Sequence, residues 1–258
     1  QARGWLGDKD LYFEYLKILP SNYNSIFNIP SYNQYGDYGL ATIKQFWILT
    51  YYGKVRGTGW KTRVPDTVIN LLAMQGTRYI ITPYILDNQG LTLVKEIDLD
   101  IRGMEYRVYE IEQAMPRAYI TTKYEVVEDS TAMTYSQMTE LFWDGNAVAS
   151  RVILEKEPGL AYSPEPAGSV EIVCSEDNQV IIEAESPGGG ILVLNDSYYP
   201  EWHVYVDGEE RDILRGNIAF RAVELGPGKH TVEFIYRPAT SLYGLFICIA
   251  ALILLLLL

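Results

Sequence analysis

Ser197-Tyr-Tyr-Pro-Glu-Trp-His-Val-Tyr-Val-Asp-Gly208 and Gly226-Pro-Gly-Lys-His-Thr-Val-Glu-Phe-Ile-Tyr-Arg-Pro238 decide the fold. In the second stretch His230, Val232, Phe234 and Tyr236 share one phase, while Lys229, Thr231, Glu233 and Arg237 share the other. Period-two alternation of this kind means a strand with one packed and one wet face. Asp207-Gly208 favours a two-residue hairpin turn, and Gly226-Pro227-Gly228 a tight connection. Working outward, runs at 169–174, 179–186, 191–196, 202–206, 210–214, 218–223 and 229–236 read as short strands separated by turn residues. This density of strands predicts an immunoglobulin-like or jelly-roll-type antiparallel β-sandwich over 169–238, with Trp202 in its core.

Downstream, Leu242 to Leu258 carries no charge, and roughly 17 apolar residues are at the short end of what spans a bilayer. A buried core helix is the alternative, but Ile249 to Leu258 is apolar on every face, and soluble helices keep a polar side. A C-terminal transmembrane helix over 242–258 is therefore expected, with Tyr236, Tyr243 and Arg237 at headgroup depth. The chain opens on Gln1 and closes on Leu258 inside that apolar run, so it reads as a piece of a larger membrane protein.

Upstream, Pro158 to Gly168 reads as a linker, and 65–157 as a small α+β domain. There Pro65 and Asp66 suit a first helical turn, Val68, Leu71 and Leu72 its apolar stripe, and Gly76 its end. Tyr79 to Thr82 is a strand, Leu91–Asp98 and Tyr106–Ile111 an antiparallel pair, and Ala118–Val127 another strand. A helix over 134–144 starts on a Thr134/Gln137 capping box. Residues 1–64 form an aromatic, partly helical, membrane-proximal segment, with helices over 8–19 and 40–49 around a loop at 28–39.

A formal net charge of −12 argues against nucleic acid, whose phosphates demand a basic face. Cys174 lies in a strand and Cys248 in the apolar tail, which excludes a disulfide-stapled secreted scaffold. His203 and His230 have no companions at metal-ligand spacing, and no Ser-His-Asp or Cys-His set is cued. No metal site, no cofactor and no catalytic residue is assigned to this chain.

The motifs Ser-Tyr-Tyr-Pro-Glu-Trp at 197–202, Val-Asp-Gly-Glu at 206–209, Ala-Phe-Arg-Ala-Val at 219–223 and Gly-x-His-Thr-Val-Glu-Phe-x-Tyr-x-Pro at 228–238 resemble the C-terminal signature of YfhO-like bacterial membrane proteins. The order upstream, from the Asn28–Tyr35 loop through 71–81 to Met115–Tyr119, is similar too. The resemblance implies a multi-pass protein of the cell membrane whose soluble part is extracytoplasmic. It also implies a glycosyltransferase that uses a lipid-linked sugar and decorates envelope polymers such as lipoteichoic acid. Catalytic carboxylates in such proteins sit in early loops, outside this chain.

Two places stand out as sites. In the loop at 28–39, Tyr32, Tyr35 and Tyr38 can present flat faces to a sugar ring or prenyl chain, and Asn33, Gln34 and Asp37 can bond hydroxyls. The bland reading is that this loop docks on the protein's own membrane helices. Arg211, Arg215 and Arg221 lie close in sequence and form a candidate basic patch, which, or else a bound cation, a polyphosphate acceptor would need against so acidic a chain; the bland reading is scattered surface charge. The partners expected are the membrane, a lipid-linked sugar, the envelope polymer and the upstream transmembrane helices. The competing reading is a membrane-anchored, non-catalytic glycan- or protein-binding module.

Overall fold

The computed structural model describes residues 61–74, 76–82, 84–101, 104–128, 151–160, 168–238 and 248–249. The helices expected at 8–19, 40–49 and 134–144, and the loop at 28–39, lie outside these residues. So does the tail from 242 onward apart from Cys248 and Ile249, which are helical. Among the described residues no helix is long and apolar enough to cross a membrane.

The chain enters through β1 (Lys61–Arg63) and α1 (Asp66–Met74). Pro65 precedes α1, and Gly76 follows it in the left-handed region at φ +74°. Gly76 N–H donates to Ala73 O at 3.0 Å and Thr77 N–H to Leu72 O at 2.9 Å, so the last carbonyls are satisfied by a Schellman cap. Strands β2 (Tyr79–Thr82), β3 (Ile85–Asp87), β4 (Leu91–Ile101) and β5 (Met104–Ile111) follow. β2, β5 and β4 form an antiparallel sheet in that order, the expected pair of strands running on past Asp98 and starting before Tyr106 so that Ile101 stands opposite Met104, and β1 pairs in parallel with β3. Val64, Val68, Ile69, Ala73 and Ile111 make the core of this unit, closed by Ile80, Leu86 and Leu91.

The run expected as one strand at 118–127 is broken into β6 (Ala118–Thr121) and β7 (Tyr124–Val126), and β8 (Val152–Leu154) follows. Beyond residue 168 come β9 (Ser169–Ser175), β10 (Gln179–Ser186), β11 (Gly190–Ser197), β12 (Trp202–Val206), β13 (Glu209–Arg211), β14 (Leu214–Gly216), β15 (Phe220–Leu225) and β16 (Gly228–Tyr236). These follow the sequence expectation closely, except that the run at 210–214 is cut at Asp212-Ile213. There the chain leaves one sheet for the other.

The two sheets are β13-β12-β16-β10-β9 and β6-β11-β15-β14-β8-β7. Between them lies a dry core that includes Ile182, Leu192, Leu194, Val204, Val232 and Phe234, each 0% exposed. The architecture is thus a β-sandwich of mainly antiparallel strands. The sequence confines this sandwich to 169–238, whereas its second sheet also takes β6, β7 and β8 from before the 158–168 segment. At the start of that segment the Gly159 and Leu160 N–H groups donate to Glu224 at 2.8 and 2.9 Å.

The second sheet cannot be flat. β6 and β7 stand at its opposite edges, yet only residues 122 and 123 join them. Five interstrand spacings place the edges of a flat six-stranded sheet roughly 24 Å apart. Three Cα–Cα steps reach at most about 11 Å. The sheet therefore curls on itself and encloses a second core of Val152, Leu154, Ile191, Val193, Leu214 and Ala222. This is why β11 from Gly190 to Leu194 is buried on both faces, where a simple sandwich strand would have one wet side.

Candidate functional site

Asp196 is set by an irregularity in β11. Its pairing with β15 slips between Leu194 and Ser197, leaving Asn195 and Asp196 as a bulge. A bulge bends the strand and re-aims its side chains. Asn195 turns outward to the preceding segment, its N–H donating to Arg117 O and its Nδ2 to Pro116 O. Asp196 points back to Arg117 and Arg221. Arg117 grips it with two parallel donors at 2.9 and 2.8 Å, and Arg221 Nη2 donates to Oδ2 at 3.0 Å.

Arg221 shares the inward phase of β15 with Val223 and Leu225, and it is 2% exposed. Its guanidinium carbon lies 3.8 Å from the Trp202 ring centroid and 5.2 Å from that of Phe234, so two aromatic faces solvate the charge. Burial is the main influence on this group and pushes it down to about 10, with Asp196 opposing and Arg117 adding. It stays protonated at neutral pH. Nε and Nη1 have no hydrogen-bond partner. Arg117 is moved the other way, up, first by its hydrogen bond to Asp196.

Arg215 is the direct register partner of Arg221 across β14 and β15. Opposed residues of an antiparallel pair face the same side, so both arginines enter one end of the sandwich. Arg215 is half-buried: it donates to Glu155 Oε1 at 3.0 Å and stacks over Tyr198 at 4.8 Å, while its buried Nε has no partner. Around it opens a cleft of about 270 Å³ lined by Glu155, Lys156, Tyr198, Ile213, Leu214 and Arg215. Lys156 Nζ donates to Asp212 at 3.1 Å on its rim.

Of the three arginines picked out in sequence, Arg221 is enclosed against Asp196 and Arg215 borders the cleft against Glu155. Arg211 is exposed on β13 and bonded to Glu209 at 2.7 Å. The three thus meet three different carboxylates, that of Arg221 being shared with Arg117. Tyr32, Asn33, Gln34, Tyr35, Asp37 and Tyr38 lie outside the described residues. Sequence reading missed Arg117, Asp196, Glu155 and Tyr198. The signal that existed was Arg221 itself, a charge standing in the apolar phase of a strand, which requires a counter-ion somewhere.

The histidines brace turns. His230 Nδ1 lies 2.7 Å from Asp207 Oδ2 and Nε2 lies 2.9 Å from Gly226 O, both acceptors, so the ring ties the 226–228 connection to the Asp207-Gly208 hairpin. Asp207 is held below the usual carboxylate range, first by His230 and then by the Thr231 N–H. At 53° and 83°, the φ angles of Asp207 and Gly208 are those of the expected two-residue turn. His203 Nδ1 meets Glu210 at 2.7 Å. The two cysteines are free.

Residues 167–248 match the model of the family described as bacterial membrane protein YfhO, about a third of the chain and the part that carries β9 to β16. The motifs at 197–238 that carry the resemblance lie inside the matched stretch. No curated protein and no solved structure shows significant similarity to the chain.

Proposed function

We propose that this chain is the extracytoplasmic accessory region of a multi-pass membrane glycosyltransferase. The enzyme takes its sugar from a lipid-linked donor and decorates a cell-envelope polymer such as lipoteichoic acid, and its catalytic residues lie outside this chain. The observation that carries this reading is the family match over 167–248, which runs from the sandwich into the apolar tail and bears the name of a bacterial membrane protein. The cleft beside Arg215 adds a place where part of the acceptor can rest, on strands stiff enough to position it. Tyr199, Trp202 and Tyr236 cluster where β16 ends, with ring centroids 6.2 and 5.2 Å from Tyr236. An aromatic group at that place suits the headgroup layer of a bilayer.

The test is removal of the gene in its bacterial host and analysis of sugar on the envelope polymers. Loss of one sugar substituent, restored by the full-length protein, is the expected result. Unchanged polymers overturn the glycosyltransferase reading. Retention of the protein on envelope glycan in that case identifies a membrane-anchored binding module.

A further inference from the structure

We propose that the cleft formed by Tyr198, the two residues after β8 and the start of β14 binds one uncharged pyranose unit. The choice of a sugar among small polyols rests on the envelope-glycan reading above; the choice of an uncharged ligand rests on the cleft alone. Its volume, about 270 Å³, falls just under the roughly 300 Å³ at which pockets for drug-sized ligands begin, which suits a single ring.

The charges in and beside it cancel. Arg215 is neutralised by Glu155 and Lys156 by Asp212, so no net positive charge attracts a phosphate. The walls are of two kinds: Tyr198, Ile213 and Leu214 give apolar surface, while Glu155, Lys156 and Arg215 give an acceptor and donors. A pyranose has this division, with C–H faces and hydroxyls that both donate and accept. Arg215 is itself fixed by the stack on Tyr198 and the bond to Glu155, so its guanidinium is in place before any ligand arrives.

The experiment uses the full-length protein in detergent or nanodiscs, titrated with methyl glucoside, methyl galactoside, N-acetylglucosamine and glycerol phosphate, with binding followed by ligand-observed NMR. At least one neutral pyranoside should bind in the millimolar range and glycerol phosphate more weakly. Glu155→Gln and Lys156→Ala should each weaken that binding by about tenfold, the cost of a charged hydrogen bond. Lys229→Ala, at a side chain 80% exposed whose amine lies 3.7 Å from Glu185 on the other sheet, should bind as wild type. Lys156 is exposed, so its variant tests the cleft even if Glu155→Gln fails to fold.

Absence of binding by any pyranoside, preference for glycerol phosphate, or full affinity in a folded Lys156→Ala protein overturns the proposal. Its failure is separable from that of the functional reading. Pyranoside binding with unchanged polymers after gene loss keeps the site and removes the enzyme. Polymer decoration without pyranoside binding does the reverse.

Discussion

Arg221 illustrates how unequal the two members of a buried ion pair can be. Its own charge is costly where it stands, with 2% exposure and two unpartnered N–H groups, and Asp196 with two aromatic rings offsets that cost. Asp196→Ala leaves the guanidinium enclosed and uncompensated, so it should lower the urea-unfolding free energy by about 3–5 kcal/mol. Arg221→Met keeps the packing on Trp202 and removes the desolvated charge. It should cost far less, or stabilise, and the same titration distinguishes the two variants. Tyr119 is the alkaline counterpart. Its phenol accepts a bond from Asn217 Nδ2 at 2.9 Å, and burial pushes it up to about 12. The unfolded phenol titrates near 10, so between pH 10 and 12 the unfolded state binds fewer protons and stability falls as pH rises. Below pH 10 that contribution is fully present. Tyr119→Phe should therefore be less stable than wild type at pH 8 by about 1 kcal/mol for the lost bond. It should gain on wild type by about 2–3 kcal/mol by pH 12. Taking the difference between the two proteins at each pH removes Arg221, whose depressed value acts in the opposite direction over the same window.

The strands from 169 to 236 were legible almost residue by residue because alternation and turn chemistry are local properties. The two-residue turn at Asp207-Gly208 and the cap at Gly76 were legible for the same reason: each needs a positive φ that only a few residues accept. Partner choice is different. That β6 would pair with β11, or β8 with β14, depends on residues far apart in the chain, and no periodicity encodes it. The bulge at Asn195-Asp196 was illegible too, and with it the aim of Asp196. Nearness in sequence grouped Arg211 with Arg215 and Arg221, but the chain changes sheets between Arg211 and Leu214. Trp202, expected in the core, packs against its edge and is half-buried, with one side on Arg221 and Tyr236 at 5.2 Å. Trp202→Ala should lower stability by about 3 kcal/mol, the low end for a large aromatic, through lost packing and the lost cover of Arg221. A thermal melt reads it, and an unchanged midpoint would remove Trp202 from the account of how Arg221 is solvated.

For the whole molecule, the curled sheet decides what can be cut. Residues 168–238 alone lack β6, β7 and β8, and so expose Ile191, Val193, Leu214 and Ala222, all buried in the intact chain. A protein of 168–238 should be aggregation-prone and melt without cooperativity, whereas one of 61–238 should give a single sharp transition in calorimetry. Equal behaviour of the two would mean that the second core is dispensable. The cleft proposed to hold a sugar depends on the same closure, because Glu155 and Lys156 follow β8 while Arg215 belongs to β14.

Closure also sets an order of events during synthesis. β6, β7 and β8 leave the ribosome well before β11, β14 and β15, the strands that cover them. At roughly 5–20 residues per second, Val152 and Leu154 wait several seconds for Ala222 to be made. Contacts this distant in sequence are slow to form even then, because loop closure must precede any reward for pairing. The upstream strands are therefore the part of this chain most exposed to chaperones and proteases before it is finished.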